Sequence, residues 1–265
     1  MLRGYVWLYV FILFGPLLLI VLFSFHSSPA QTFPMQGLSL IWYRKFFDNH
    51  VLVESLKNSL IVATCSASLT TVLGSMAALA LARLQGWKKN AFGFLTFAPV
   101  ALPGLFIGVA LLVLFAQFGI SRSLVTVALA HTLISLPFFL EASRSRLDYF
   151  DLSLEEAARD LGATPWQSFR LVTLPIVAPT LIGAAILSFA ISFDEVIITI
   201  FTSGERTTLP IAIWSMMRQA MTPVINAASV MALSCVVLVI GSFGLFGWAR
   251  RRWSLGQRRS ARVEA

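Results

Sequence analysis

Asp194 and Glu195 stand side by side in SFDEVIITIF, a run that is otherwise almost wholly apolar. A charged carboxylate at the centre of a membrane helix costs on the order of 3 kcal/mol. Two adjacent ones need water, a hydrogen-bond donor or a cation, so this pair could bind a cationic solute. His131 lies in a second apolar run together with Pro137. It is either a satisfied packing residue or a group that touches solute. The sequence holds no G-x-x-x-x-G-K-[ST] phosphate cradle, no H-E-x-x-H, no G-x-S-x-G and no paired-cysteine spacing. Cys65 and Cys235 both sit inside apolar runs and suit packing rather than a disulfide framework. No catalytic residue, metal or cofactor is therefore expected, and the chemistry is that of binding and passage. Uphill movement of a solute would draw its energy from a partner ATPase or from a coupled ion.

The elements around these residues are membrane helices. The chain has 265 residues, of which 57% are apolar and 12% charged, where a soluble domain carries about 25% charged residues. Six spans are expected, at about 4–25, 56–84, 91–118, 124–142, 176–202 and 226–249, forming a single membrane domain over 1–265. The first run is too long for the 7–15-residue core of a cleaved signal and reads as a retained helix. Residues 26–55 mix Trp42, Tyr43, Phe46 and Phe47 with Arg44, Lys45 and Asp48, the composition of a short interfacial helix. The second span is rich in small residues, which lets helices approach closely. The third is interrupted by Pro99 and Pro103-Gly104, which implies either a kinked packing helix or an unwound piece lining a path. On a continuous fifth helix starting near Ile176, Asp194 would lie about 27 Å along the axis. Its neighbour would point about 100° away, so at most one of the two would face a central path.

Orientation follows from the basic residues. With the amino terminus inside, one face collects 14 Lys and Arg and the other 6. Six of the 14 are the tail residues Arg250, Arg251, Arg252, Arg258, Arg259 and Arg262. Such a cluster next to an apolar helix reads as a cytoplasmic anchor on anionic lipid, not a nucleic-acid patch. Both termini and residues 143–175 are thus expected in the cytoplasm, with 250–265 as a basic tail.

Residues 143–175 hold the longest polar interval, SLEEAARDLGATPWQSFRLVTLP over 153–175. Ser153 and Glu156 have the spacing of a capping box at a helix start. Leu154, Ala157, Ala158 and Leu161 recur as an apolar stripe. Gly162 can end that helix in the left-handed conformation. Thr164, Pro165 and Gln167 cap a second helix bearing Trp166, Phe169 and Val172, and Pro175 marks the restart into the next span. A compact alanine-rich bend of this kind could seat in a partner's cleft; alternatively it is an amphipathic linker folded on its own membrane ends.

Glu156-Ala157-Ala158, Gly162 and Val172-x-Leu174-Pro175 reproduce E-A-A-x3-G-x9-[IV]-x-L-P. That pattern resembles the cytoplasmic coupling loop of bacterial ABC importer permeases. SFDEVIITIFTSG, TLPIAIWSMMR, TPVINAASVM, His131 with Leu136-Pro137, and Ser24-Phe25-x-Ser27-Ser28 are similar to the spermidine/putrescine permeases of that class. Val172, where isoleucine is commoner, is a mild departure. The resemblance implies an all-α polytopic fold of the type I importer kind, six transmembrane helices with a cytoplasmic coupling-helix loop. It implies location in the bacterial inner membrane. It implies three kinds of partner: a dimer of ATP-binding cassette subunits, a second permease that is similar but not identical, and an extracytoplasmic solute-binding protein. It gives Glu156, Ala157, Ala158, Gly162, Leu174 and Pro175 the coupling role, and Asp194, Glu195 and His131 a place on the solute path. The expected function is passage of a small cationic solute, a polyamine such as spermidine or putrescine. Opine-like amines, phosphonates and ferric iron are the other solutes to weigh within the class. Outside it stand an ion-coupled secondary carrier, which should show inverted repeats, and a non-transporting membrane scaffold.

Overall fold

The computed structural model describes residues 2–147 and 149–263. Every named element is helical: α1 Leu2–Ser24, α2 Ile41–Asp48, α3 His50–Arg83, α4 Gly86–Ala101, α5 Gly104–Gln117, α6 Leu124–Leu147, α7 Ser153–Asp160, α8 Pro165–Ser168, a π-helical turn Phe169–Thr173, α9 Leu174–Asp194, α10 Ile197–Thr202, α11 Leu209–Gln219 and α12 Val224–Val263. Among the described residues, five helices are long and apolar enough to cross a membrane, or six if α4 and α5 count as one broken span.

The chain divides into two compact units. The first comprises residues 1–53 and 213–265, and in it α12 packs on α1 and α2. Almost all of α1 turns apolar side chains outward, Trp7 and Phe11 among them, as a helix bathed in acyl chains would. The short α2 buries Trp42 and Phe46 and leaves Phe47 exposed. Trp42 donates its indole N–H to the His26 carbonyl, and Tyr43 Oη lies 2.7 Å from Ser24 Oγ. The side chains of the arginine-rich tail, which weigh heavily in the orientation read from the sequence, lie outside the described residues.

The second unit, residues 54–212, contains both candidate sites. Its core joins α3, α6 and α9 through Ala78, Phe139, Leu140, Val177, Leu181 and Ala184. Here the small residues of α3 are used for close approach: a Cβ on Gly74 would collide with the Phe139 ring. A second core of Ile107, Ala130 and Ile198 ties α5, α6 and α10 together.

One interrupted span takes the sharper of its two expected forms, and another departs from its expected bounds. The third is broken, not kinked: α4 and α5 meet at 100° across Leu102-Pro103. Pro103 has no N–H and forces its predecessor out of the helical region, which puts Leu102 at φ −96, ψ 134. The fifth begins earlier and ends earlier. Helical backbone runs from Pro165 to Asp194 without the restart expected at Pro175. Proline at position 175 would orphan a carbonyl one turn back, and the backbone absorbs this by widening into the π turn, where the Leu174 N–H donates to the Phe169 carbonyl. The helix then stops at Asp194, Glu195 adopts an extended conformation (φ −72, ψ 121), and α10 starts at Ile197.

Candidate functional site

The elbow formed by α7 and α8 is shaped by its caps. Gly162 sits at φ +89. Its N–H donates to the Arg159 carbonyl at 2.8 Å, and the Ala163 N–H donates to Ala158 at 3.0 Å. That pair of bonds closes α7 with a left-handed glycine, as its position in the sequence suggests. The Thr164 box also forms: the Gln167 N–H donates to Thr164 Oγ1 at 3.3 Å, and the Thr164 N–H to Gln167 Oε1 at 2.8 Å. The box expected from Ser153 and Glu156 does not form. Ser153 is already helical and Leu152 precedes it with no side-chain cap. Instead the Asp151 carboxylate takes the Ser153 N–H at 3.0 Å. Side-chain and backbone hydrogen bonds from Ser153 hold the Asp151 carboxyl below its ordinary pKa.

The faces of α7 are reversed from those of a helix folded on its own protein. Of the expected apolar stripe, Leu154 and Ala157 are exposed, Ala158 is half-buried, and Leu161 is 90% exposed. Trp166 and Leu171 continue this outward apolar surface. The side chain turned inward is a carboxylate, and it is Glu155 rather than Glu156, which is exposed. Glu155 accepts hydrogen bonds from Arg83 and Thr173. The spacing of the E-A-A triplet draws attention to Glu156 and passes over its neighbour. It is the packing of α7 beside Arg83 and Thr173 that turns Glu155 inward. Leu174 and Pro175 lie at the start of α9, just beyond the π turn, and both are exposed.

The other polar cluster surrounds the break between α9 and α10. His131, on α6, is completely buried. Its Nδ1 lies 2.8 Å from Ser192 Oγ, and its Nε2 lies 2.8 Å from Thr199 Oγ1. Ser192 precedes the break and Thr199 follows it, so the imidazole staples the two helix ends. A neutral ring has one donor and one acceptor nitrogen, and both are engaged here. Thr199 Oγ1 also donates to the Glu195 carbonyl at 2.8 Å. The Glu195 carboxylate caps α10 by accepting the Ile198 N–H at 3.0 Å. Asp194 is different. Its side chain is exposed and has no hydrogen bond or ion pair among the described residues. It stands at the carboxyl end of α9, where unpaired carbonyls add partial negative charge. The structure thus separates three residues that the sequence had grouped: His131 and Glu195 hold the break, and Asp194 is offered by it. Among the described residues, no cluster of His, Cys, Asp and Glu could hold a metal ion.

Comparison with known proteins fits this architecture. Residues 70–254 match the family model described as binding-protein-dependent transport system inner membrane component. The chain is 34% identical over 244 residues to the putrescine transport system permease protein PotI of Escherichia coli (strain K12), covering 89% of this chain and 85% of the relative. It is 33% identical over 238 residues to the spermidine/putrescine transport system permease protein PotC of Haemophilus influenzae, covering 89% and 90%. Among solved structures, it superposes with a TM-score of 0.69 on a chain of a bacterial alginate ABC transporter in complex with alginate pentasaccharide-bound periplasmic protein. The identity there is 15% over 91% of this chain and 90% of that one, so the likeness is one of fold.

Proposed function

Since the chain belongs to the family of inner-membrane components of binding-protein-dependent transport systems, we propose that it is the permease subunit of an ABC importer for polyamines. Residues 1–265 act as one permease domain with both termini in the cytoplasm. A dimer of ATP-binding subunits docks on the elbow, a second permease completes the path, and an extracytoplasmic binding protein delivers putrescine or spermidine. ATP is hydrolysed by the partner, since this sequence has no phosphate cradle.

One observation carries the import reading: α7 turns Glu155 inward and displays Leu154, with Leu161 exposed just beyond its end. A helix covering its own protein would do the reverse. Exposed leucine, tryptophan and alanine around a left-handed glycine make a compact knob for a cleft in another subunit. Glu156, Ala157, Ala158 and Gly162 form the knob, while Leu174 and Pro175 join it to α9. ATP shifts the transporter between states by binding one of them more tightly.

The solute class is supported by the names of the two relatives and by Asp194. An unpaired carboxylate at a helix carboxyl end attracts an ammonium group, and a polyamine is a chain of such groups. His131 and Glu195 shape the break without touching solute. The test is uptake by the complete transporter in proteoliposomes. Wild type is expected to take up labelled putrescine or spermidine only with ATP and the ATP-binding subunit present. Accumulation by the permease alone would point to a secondary carrier, and no uptake under any condition would leave a scaffold.

A further inference from the structure

Resting on that reading, we infer that Glu155 and Arg83 form a latch through which the elbow moves α3 as well as the helices next to it in the chain. The elbow is tied to α6 by residues 148–152 and runs into α9 through the π turn. Nothing in chain order joins it to α3, whose last residue is Arg83, 72 residues away from Glu155. The latch makes that join. Arg83 Nη2 lies 3.0 Å from both Glu155 carboxylate oxygens. Thr173 Oγ1, at the end of the π turn, donates to Glu155 Oε1, and the Ser168 hydroxyl donates to the Glu155 backbone carbonyl at 3.4 Å. Arg159, one turn further along α7, approaches the same carboxylate at 3.9 Å. One carboxylate thus gathers α3, α7 and the base of α9.

Its environment makes the link stiff. Glu155 is 7% exposed, so water does not readily replace its partners. A charge-assisted contact to a guanidinium is short and directional, and a buried carboxylate robbed of it is left uncompensated. Arg83 keeps about half of its side chain in solvent, so the pair can form without desolvating both ions. When the ATP-binding subunits displace the knob, α3, α7 and the start of α9 move as one body. Bending is left to the two backbone breaks, Leu102-Pro103 and Glu195-Val196. Glu155 is a positioning residue: it touches neither solute nor ATP.

The experiment measures uptake per ATP hydrolysed by the complete transporter in proteoliposomes. Glu155→Gln keeps the shape and removes the charge. It is expected to lower the ratio roughly tenfold, a middling value for a coupling free energy between sites, while the complex still assembles and hydrolyses ATP. A covalent replacement provides the rescue. Arg83→Cys with Glu155→Cys, in a background with Cys65→Ser and Cys235→Ser, should be uncoupled until a short bifunctional thiosulfonate joins the thiols, and coupled afterwards. Normal coupling in Glu155→Gln overturns the latch. So does a block of uptake on cross-linking, which would mean that α7 and α3 must part during the cycle. If the Glu155 variants do not assemble, Thr173→Val decides: a fall of roughly threefold supports the latch and an unchanged ratio overturns it. Failure of wild type to couple uptake to ATP would sink the importer reading instead, so the two failures are distinguishable.

Discussion

The elbow and the α9–α10 break both place carboxylates in an apolar chain, and they treat them in opposite ways. At the elbow, Glu155 is buried and held by donors from α3 and the π turn, while leucines face outward. At the break, Glu195 and His131 are engaged by backbone and hydroxyl groups, while Asp194 has no partner among the described residues. A satisfied carboxylate builds the machine. An unsatisfied one, next to the negative end of a helix, is the group that the proposed function gives to a cation. The elbow exposes grease and the break exposes charge, so the first suits a protein partner and the second a cation.

The largest effect expected from separating the two regions is at His131. His131→Ala leaves a cavity and strips two buried hydroxyls of a partner, which should cost about 3 kcal/mol. Thermal unfolding in detergent would register it, and His131→Gln should recover part of the loss. A stability unchanged in His131→Ala, together with a raised KM, would move His131 from staple to solute contact. Next comes Gly162→Val. The left-handed backbone penalises a side chain by about 1–2 kcal/mol, more for a β-branched one. Because a Cβ there meets nothing within 4 Å, the penalty is conformational and should appear as lost uptake per ATP with the chain still assembled. Normal coupling in Gly162→Val would mean that the bend does not need its positive φ.

Asp194→Asn is expected to act on the solute alone. Losing a charge-assisted contact worth roughly 1.5 kcal/mol should raise the KM for polyamine about tenfold and leave ATP coupling untouched. The same shift for Glu195→Gln, without loss of stability, would mean that the cap also serves the solute. The smallest effect should be that of Thr164→Ala, about 1 kcal/mol of local stability from the lost cap. Amide hydrogen exchange at Gln167 would rise, with little change at the break.

Much of the elbow is legible in the sequence because its signals are local. Gly162 ends α7, and Thr164 with Gln167 starts α8, since each device acts through backbone groups three or four residues away. The apolar runs similarly mark the spans, because the bilayer demands about 20 apolar residues from each helix. What local pattern leaves open is phase and continuity. Which of two adjacent glutamates turns inward is settled by partners distant in the chain, Arg83 and Thr173, which receive Glu155. The helix passes through Pro175 by widening, yet breaks after Asp194 where no proline stands.

Length, charge and apolar periodicity alone determined that this is an all-α membrane chain with a polar elbow before its fifth span, because those properties add up residue by residue. Only the tertiary structure decided that Glu155 reaches Arg83, that His131 staples Ser192 to Thr199 across a gap, and that Asp194 has no partner among the described residues. Hydrogen bonds between residues more than sixty positions apart depend on where helices meet, and that meeting is set by packing across the bundle rather than by any stretch of the chain read on its own.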